Sequence, residues 1–287
     1  MDAGTKLCCL IGNPVGHSIS PLIHNSISEK MGINMVYTAF AVESDNVVEA
    51  VRGAYALGIN GMNVTVPHKV AVMEALSQID ELAQRIGAVN TLVRAEDGFK
   101  GYNTDIIGLM RLLEDAGIEI KGNSFIILGA GGASRAIVYL CASCGADRIF
   151  LLNRSVDKAK QLAEEVNSFF PDIVEALPLK DYGRIPKGKY PVIQTTSVGL
   201  YPNCDIAPVE EDDFYELVSE GVDIICNPTN TKFMKLCAKH GAEAYNGLKM
   251  LLYQGVAAYE LWNNVKVPRN ICDEVLTLME KEMQKNG

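Results

Sequence analysis

The stretch richest in chemistry is Phe125-Ile-Ile-Leu-Gly-Ala-Gly-Gly-Ala-Ser-Arg-Ala136. Four strand-forming apolar residues run into a glycine-dense turn, and small residues able to open a helix follow. Glycines at 129, 131 and 132 let backbone N–H groups approach a pyrophosphate, while the unpaired donors and dipole of the next helix favour its negative charge. Against the G-x-G-x-x-G/A fingerprint, Gly129 and Gly131 match and Ser134, small enough for close packing, takes the third place. A helix over 133–144, a stop at Gly145 and a strand over 148–152 complete a βαβ unit. That second strand ends at Asn153-Arg154-Ser155. An NAD site would place Asp or Glu there to hold the ribose 2′-OH; Arg154, with no acid before Asp157, suits a 2′-phosphate instead, and Ser155 adds a hydroxyl. The pattern points to NADP. The competing reading leaves Arg154 solvated and makes Ser155 the N-cap of a helix over 156–169.

A second set of chemical groups lies upstream. Ser18 and Ser20 sit on a loop that leads, through Pro21, into a helix over 20–31, with Ser20 as N-cap and Gly32 as its stop. Two hydroxyls at a helix N-terminus can cradle a carboxylate, or merely cap the helix. Lys69 follows Gly61-Met-Asn-Val-Thr-Val-Pro67, just past the C-terminal end of a buried strand, where ligand-facing residues of α/β sheets gather. The plainer alternative is a solvated lysine. Asp105 opens a helix over 106–116, which by itself describes an N-cap. His17 and His24 are not accompanied by a ligand set, so no metal is expected.

Around these groups the pattern alternates strand and helix. Strands are expected over 7–11, 35–42, 61–67 and 88–93, with helices over 45–57 and 74–86, all ahead of the glycine loop. Beyond the βαβ unit come strands over 173–177, 191–195 and 222–226, a helix over 231–240, a long one from 246 to 262 and an amphipathic one over 271–283. The fold class is therefore α/β in two domains. Residues 1–105 form an αβ substrate domain, 106–246 an inserted Rossmann-like nucleotide domain, and 247–287 return to the first. The chain has 287 residues, 48% of them hydrophobic, enough for two modest cores. Its net charge of −9 argues against nucleic acid or an anionic membrane as partner. The N-terminus lacks the pattern of a signal peptide, and no apolar run reaches the ~20 residues that span a bilayer, so a cytoplasmic protein is expected. Eight irregularly spaced cysteines are read as reduced and mostly buried, Cys141 and Cys144 included.

Seven strings taken together resemble the ordered motifs of the shikimate dehydrogenase family. They are Gly12-Asn-Pro-Val-Gly-His-Ser-Ile-Ser-Pro21, Asn63-Val-Thr-Val-Pro-His-Lys69, Gly87-Ala-Val-Asn-Thr91, Asn103-Thr-Asp105, Gly129-Ala-Gly-Gly-Ala133, Asn153-Arg-Ser155 and Met250-Leu-Leu-Tyr-Gln254. The resemblance covers nearly the whole chain. It implies reversible NADPH-dependent reduction of 3-dehydroshikimate to shikimate, in the pathway to chorismate and the aromatic amino acids. It further implies that Ser18 and Ser20 hold the carboxylate, that Thr65, Asn90 and Gln254 join Lys69 and Asp105 around the ring, and that Lys69 with Asp105 is the catalytic pair. On the cofactor side it maps Gly129, Ala130, Gly131, Gly132 and Ala133 to the pyrophosphate, Asn153, Arg154 and Ser155 to the adenosine phosphate, and Ile224 and Gly247 to the nicotinamide end. The chain departs from the pattern at Cys226, where a tyrosine is common, and at Lys249, where a glycine is. The implied partner is a small molecule, and the chain is expected to be a monomer or a homodimer. Two alternatives stay open: a quinate/shikimate dehydrogenase using NAD or both cofactors, and a catalytically silent shikimate-binding relative.

Overall fold

A computed structural model describes residues 1–285. The chain divides into two compact units, the first made of Met1–Gly108 with Leu252–Gln284 and the second chiefly of Leu109–Leu251. The divisions fall slightly C-terminal of the boundaries read from the sequence.

The first unit is a six-stranded mixed sheet with helices. Its elements are β1 (Lys6–Gly12), α1 (Ser20–Met31), β2 (Met35–Ala41), α2 (Val47–Ala56), β3 (Gly61–Val64), β4 (Gln78–Ile79), α3 (Glu81–Ile86), β5 (Thr91–Ala95), β6 (Gly98–Tyr102) and the first residues of α4 (Thr104–Asp115), whose remainder is counted with the second unit. The strand order is β2-β1-β3-β5-β6-β4. Strand β1 runs parallel to both neighbours, and β5 is antiparallel to β3 and to β6. Both faces of the inner strands are covered, so β1 and β3 read as apolar runs rather than alternations.

The second unit holds β7 (Ser124–Leu128), α5 (Gly132–Ser143), β8 (Arg148–Asn153), α6 (Val156–Asn167), β9 (Val174–Pro178), β10 (Tyr190–Gln194), α7 (Asp212–Tyr215), β11 (Val218–Asp223), α8 (Lys232–Lys239) and β12 (Glu243–Tyr245). Its strands are ordered β12-β11-β10-β7-β8-β9, and every neighbouring pair is parallel. The order reverses between β7 and β10, the switch point at which open α/β sheets bind ligands. Its core is built from Ile126, Leu128, Phe150, Leu152, Val192 and Phe214. Helices α9 (Leu248–Asn263) and α10 (Arg269–Lys285) end the described chain.

The structure revises several sequence expectations. A single helix over 74–86 does not form. A short 3-10 turn ends at Ala75, the chain extends at Leu76, β4 adds to the edge beside β6, and Asp80 caps a new helix by accepting from Leu82 N at 3.1 Å. The Glu96-Asp97 turn joins β5 and β6 in a hairpin, so β6 is a strand that the sequence reading passed over. Ser20 is the first residue of α1 rather than its cap, and α4 begins at Thr104, which places Asp105 inside its first turn. Strand β11 ends at Asp223, leaving Ile224 and Cys226 on the following loop.

Helix α1 buries His24 in an aromatic stack, with Tyr37 at 4.2 Å and Trp262 at 5.0 Å between ring centroids. Among the described residues neither ring nitrogen has a hydrogen-bond partner. Burial pushes its pKa down to about 3. The unfolded chain takes up this proton below about 6.5 while the fold refuses it until about 3, so acidification through that window destabilises the protein. Replacing His24 with Phe removes this contribution. Relative to each protein's own stability at pH 7, His24→Phe is expected to lose on the order of 3 kcal/mol less than wild type at pH 4. Chemical denaturation at the two pH values measures it, and equal losses would show that His24 does not resist protonation.

Candidate active site

Because β1 and β3 are parallel and β5 is antiparallel to both β3 and β6, four connections emerge at one end of the first sheet. Ile11 pairs with Val64, Asn63 with Thr91, and Thr91 with Tyr102. The loop after β1, the turn after β3, the residue before β5 and the start of α4 are thereby neighbours. Lys69 lies on the turn after β3, and its carbonyl is held by Val89 N at 2.8 Å. His68, buried beside it, anchors the turn with a ring nitrogen 2.7 Å from Val42 O.

Three expected residues meet through direct bonds. Lys69 Nζ donates to Asp105 Oδ2 at 2.6 Å, and Asn90 Nδ2 donates to Asp105 Oδ1 at 2.9 Å. The lysine and aspartate side chains are 31% and 27% exposed, so the ion pair is open to a ligand. Asp105 spends its carboxylate on this pairing instead of on capping, and its place in the first turn of α4 adds the favourable dipole. A half-buried ammonium held by a carboxylate can bind, or exchange a proton with, an oxygen brought beside it.

The other expected residues of this unit are placed as follows. Ser18 Oγ donates to Ser20 Oγ at 3.1 Å and accepts from Ser20 N at 3.2 Å, so both hydroxyls sit at the start of α1. Thr65 directly follows β3, its N–H bonded to Ile11 O at 2.9 Å. Gln254 is buried on α9, the helix that packs Tyr259 and Trp262 around His24 of α1.

In the second unit the glycine loop leaves β7 at the switch point. Gly129 has φ of 114°, open to glycine, and a Cβ there would meet Thr195 Oγ1 at 2.6 Å. Gly131 is the N-cap of α5, and neither it nor Gly132 has an atom within 4 Å of an added Cβ. With Ala130 and Ala133 they form an open cradle at the N-terminus of a twelve-residue helix, a fit for pyrophosphate. The cradle is braced from beneath: buried Ser134 bonds Thr195, which donates to Leu128 O at 2.7 Å. Ser134 thus fills the third fingerprint position by tying β7, β10 and α5 together. At the end of β8, Arg154 and Ser155 are exposed, and Asn153 Nδ2 bonds Ser155 O at 2.9 Å. Ser155 is the N-cap of α6, yet its side chain makes no capping bond. Gly247 is buried against the loop after β11; a Cβ there would run into the carbonyl oxygen of Ile224.

Family models match three stretches of the chain: the shikimate dehydrogenase substrate binding domain over 10–92, shikimate / quinate 5-dehydrogenase over 111–187, and the shikimate 5'-dehydrogenase C-terminal domain over 247–277. A shikimate dehydrogenase (NADP(+)) of Bacillus cereus is 44% identical, covering 90% of this chain and 92% of its own. One from Methanococcus maripaludis is also 44% identical, covering 93% and 94%. A crystal structure of shikimate dehydrogenase in complex with NADP+ superposes with a TM-score of 0.88 at 37% identity, covering 96% of each chain. This chain belongs to the shikimate dehydrogenase family.

Within that family its two sequence departures have local settings. Lys249 pairs with Asp115 at 3.3 Å. Cys226 is half-buried, and burial pushes its thiol up to about 12, leaving it unreactive at neutral pH. The sequence reading missed Asp223, a buried carboxyl pushed up to about 6 by burial, which accepts from Thr231 Oγ1 at 2.7 Å and from Ile225 N at 3.0 Å. It staples the loop bearing Ile224 and Cys226; an acid eight residues before a threonine N-cap was its signal. Among the described residues no cluster of His, Cys, Asp and Glu could hold a metal, and no helix is long and apolar enough to cross a membrane.

The tight turn makes a direct prediction. Gly129→Ala puts a side chain at a left-handed φ and against Thr195, and is expected to cost about 1–3 kcal/mol of stability and to weaken dinucleotide binding. Thermal melts with calorimetric titration check both, and a variant matching wild type in each would remove Gly129 from the cradle.

Proposed function

We propose that this chain is an NADP-dependent shikimate dehydrogenase, reversibly reducing 3-dehydroshikimate to shikimate, with the first unit binding substrate and the second the cofactor. The observation that carries the reading is the Lys69–Asp105 pair, 2.6 Å apart and closed on its far side by Asn90. Bound in the second unit, NADPH supplies the hydride. Reduction at the carbonyl carbon would place negative charge on its oxygen, and Lys69 would donate the proton that completes the alcohol. In the oxidising direction neutral Lys69 takes the hydroxyl proton back. Asp105 holds the ammonium in place and balances its charge, so the two act as one unit. Ser18 and Ser20 receive the substrate carboxylate at the N-terminus of α1, and Thr65, Asn90 and Gln254 hold the ring oxygens. Gly129 through Ala133 take the pyrophosphate, Asn153, Arg154 and Ser155 the adenosine phosphate, and Ile224 with Gly247 border the nicotinamide.

All eight cysteines are free thiols, which suits a reducing compartment, and we place the enzyme in the cytoplasm. It acts on small molecules as a monomer or homodimer.

The initial rate of NADP+ reduction with shikimate, run beside NAD+ and quinate, tests the reading. Turnover is expected with NADP+ and shikimate, and Lys69→Ala should lower kcat by about a thousandfold or more with a far smaller change in KM for shikimate. A Lys69→Ala protein with near-normal kcat would remove Lys69 from the chemistry. Arg154→Ala should raise KM for NADP+ about tenfold or more and leave NAD+ use unchanged, as befits a charge-assisted bond to the 2′-phosphate. Equal losses with both cofactors would place Arg154 elsewhere.

A further inference from the structure

Behind the Lys69–Asp105 pair lies a buried polar chain that the assigned roles do not use. Thr104 N, an unambiguous donor, bonds Asn90 Oδ1 at 2.7 Å, which fixes the amide with its oxygen inward and its Nδ2 toward Asp105. The hydroxyls of Thr91 and Thr104 each lie 3.1 Å from the same Oδ1 and 2.9 Å from one another. Whichever of the two donates to the other, at least one hydroxyl proton remains for Asn90. Thr91 Oγ1 accepts in turn from Asn63 Nδ2 at 3.0 Å. That amide is also fixed, because its Nδ2 faces the carbonyl of Asn90 at 3.3 Å, and so its Oδ1 accepts from Tyr37 Oη at 2.8 Å. Tyr37, Asn63, Thr91 and Thr104 are all at most 5% exposed. Every donor in the series, from Tyr37 through Asn63, the threonines and Asn90, points toward the Asp105 carboxylate. A chain of one polarity strengthens each bond in it and resists the flip of the Asn90 amide that would present an oxygen to Asp105.

We propose that Thr91 and Thr104, backed by Asn63 and Tyr37, are positioning residues whose hydroxyls lock Asn90 in the polarity that the Thr104 N–H gives it and thereby orient Asp105 against Lys69. The proposal rests on Lys69 and Asp105 being the catalytic pair. It identifies residues that touch neither substrate nor cofactor but govern the proton-transfer step.

The test compares Thr91→Val, which keeps the shape and removes the hydroxyl, with Thr91→Ser, which keeps the hydroxyl, both against wild type and Lys69→Ala. Each is assayed for shikimate oxidation across pH, with thermal melting as a folding control. Thr91→Val is expected to lower kcat about tenfold, the size of one lost hydrogen bond in a charge-terminated series, and to shift the pH profile of kcat. Thr91→Ser should restore both. If Thr91→Val does not fold, Thr104→Val against Thr104→Ser makes the same comparison. A valine variant with the wild-type kcat and pH profile, beside an inactive Lys69→Ala, overturns the positioning role alone. An active Lys69→Ala overturns the catalytic reading and this proposal with it.

Discussion

Two donors converge on one carboxylate in the first unit, Lys69 on Oδ2 of Asp105 and Asn90 on Oδ1, and the arrangement exists only because of how the sheet is connected. Lys69 and Asp105 are 36 residues apart in sequence. They meet because β3 runs parallel to β1 while the β5–β6 hairpin runs back, so that the turn after β3 and the helix after β6 leave the same end. Had β5 followed β3 in parallel, Asn90 would lie at the opposite end. The antiparallel pair in an otherwise parallel half-sheet is thus the feature that assembles the constellation, and the short turn at Glu96-Asp97 sets its register.

The second unit meets a different constraint: bringing bare backbone to an anion without leaving buried polar groups unpaired. Gly129 turns sharply at the end of β7, and the space beneath it is filled by hydroxyls rather than carbon. Ser134 and Thr195 bond each other, and Thr195 also satisfies Leu128 O. Each polar group under the loop has a partner in the protein, Ser134 Oγ also accepting from Gly131 N at 3.3 Å, so the turn is held without a buried unpaired group. Asp223 applies the same device at the far side of the switch point, holding the loop after β11 by its own carboxyl.

Much of this was legible in advance, and the reasons differ by element. The glycine loop, α5 and β8 were readable because glycine density, a helix stop and an apolar run are local signals. The misreadings are equally instructive. The stretch 74–86 has helical composition, but the open edge of β6 draws Gln78 and Ile79 into the sheet, and Asp80 then restarts the helix as a cap. Asp105 read as a cap by local logic, since nothing in its neighbourhood announces a lysine 36 residues upstream. Ser134 stood out only as an imperfect match, because its value lies in Thr195, a residue 61 positions away. Long-range partnerships of this kind leave no periodicity behind them.

The identity of residue 90 follows from the charge it must serve. An aspartate there would bring a second carboxylate to Asp105 Oδ1, and like charges at such a distance drive one of them to hold a proton. It would also offer acceptors where Thr104 N–H and the hydroxyls need one, but a repulsive oxygen where Asp105 needs a donor. A leucine would leave the Thr104 N–H buried without its acceptor, at a cost comparable to a lost hydrogen bond. Asparagine alone presents an oxygen to the interior and an N–H to the carboxylate in one planar, uncharged group. It converts the fixed polarity of the buried backbone at Thr104 into a fixed orientation of Asp105, and so holds Lys69 where the turn after β3 delivers it.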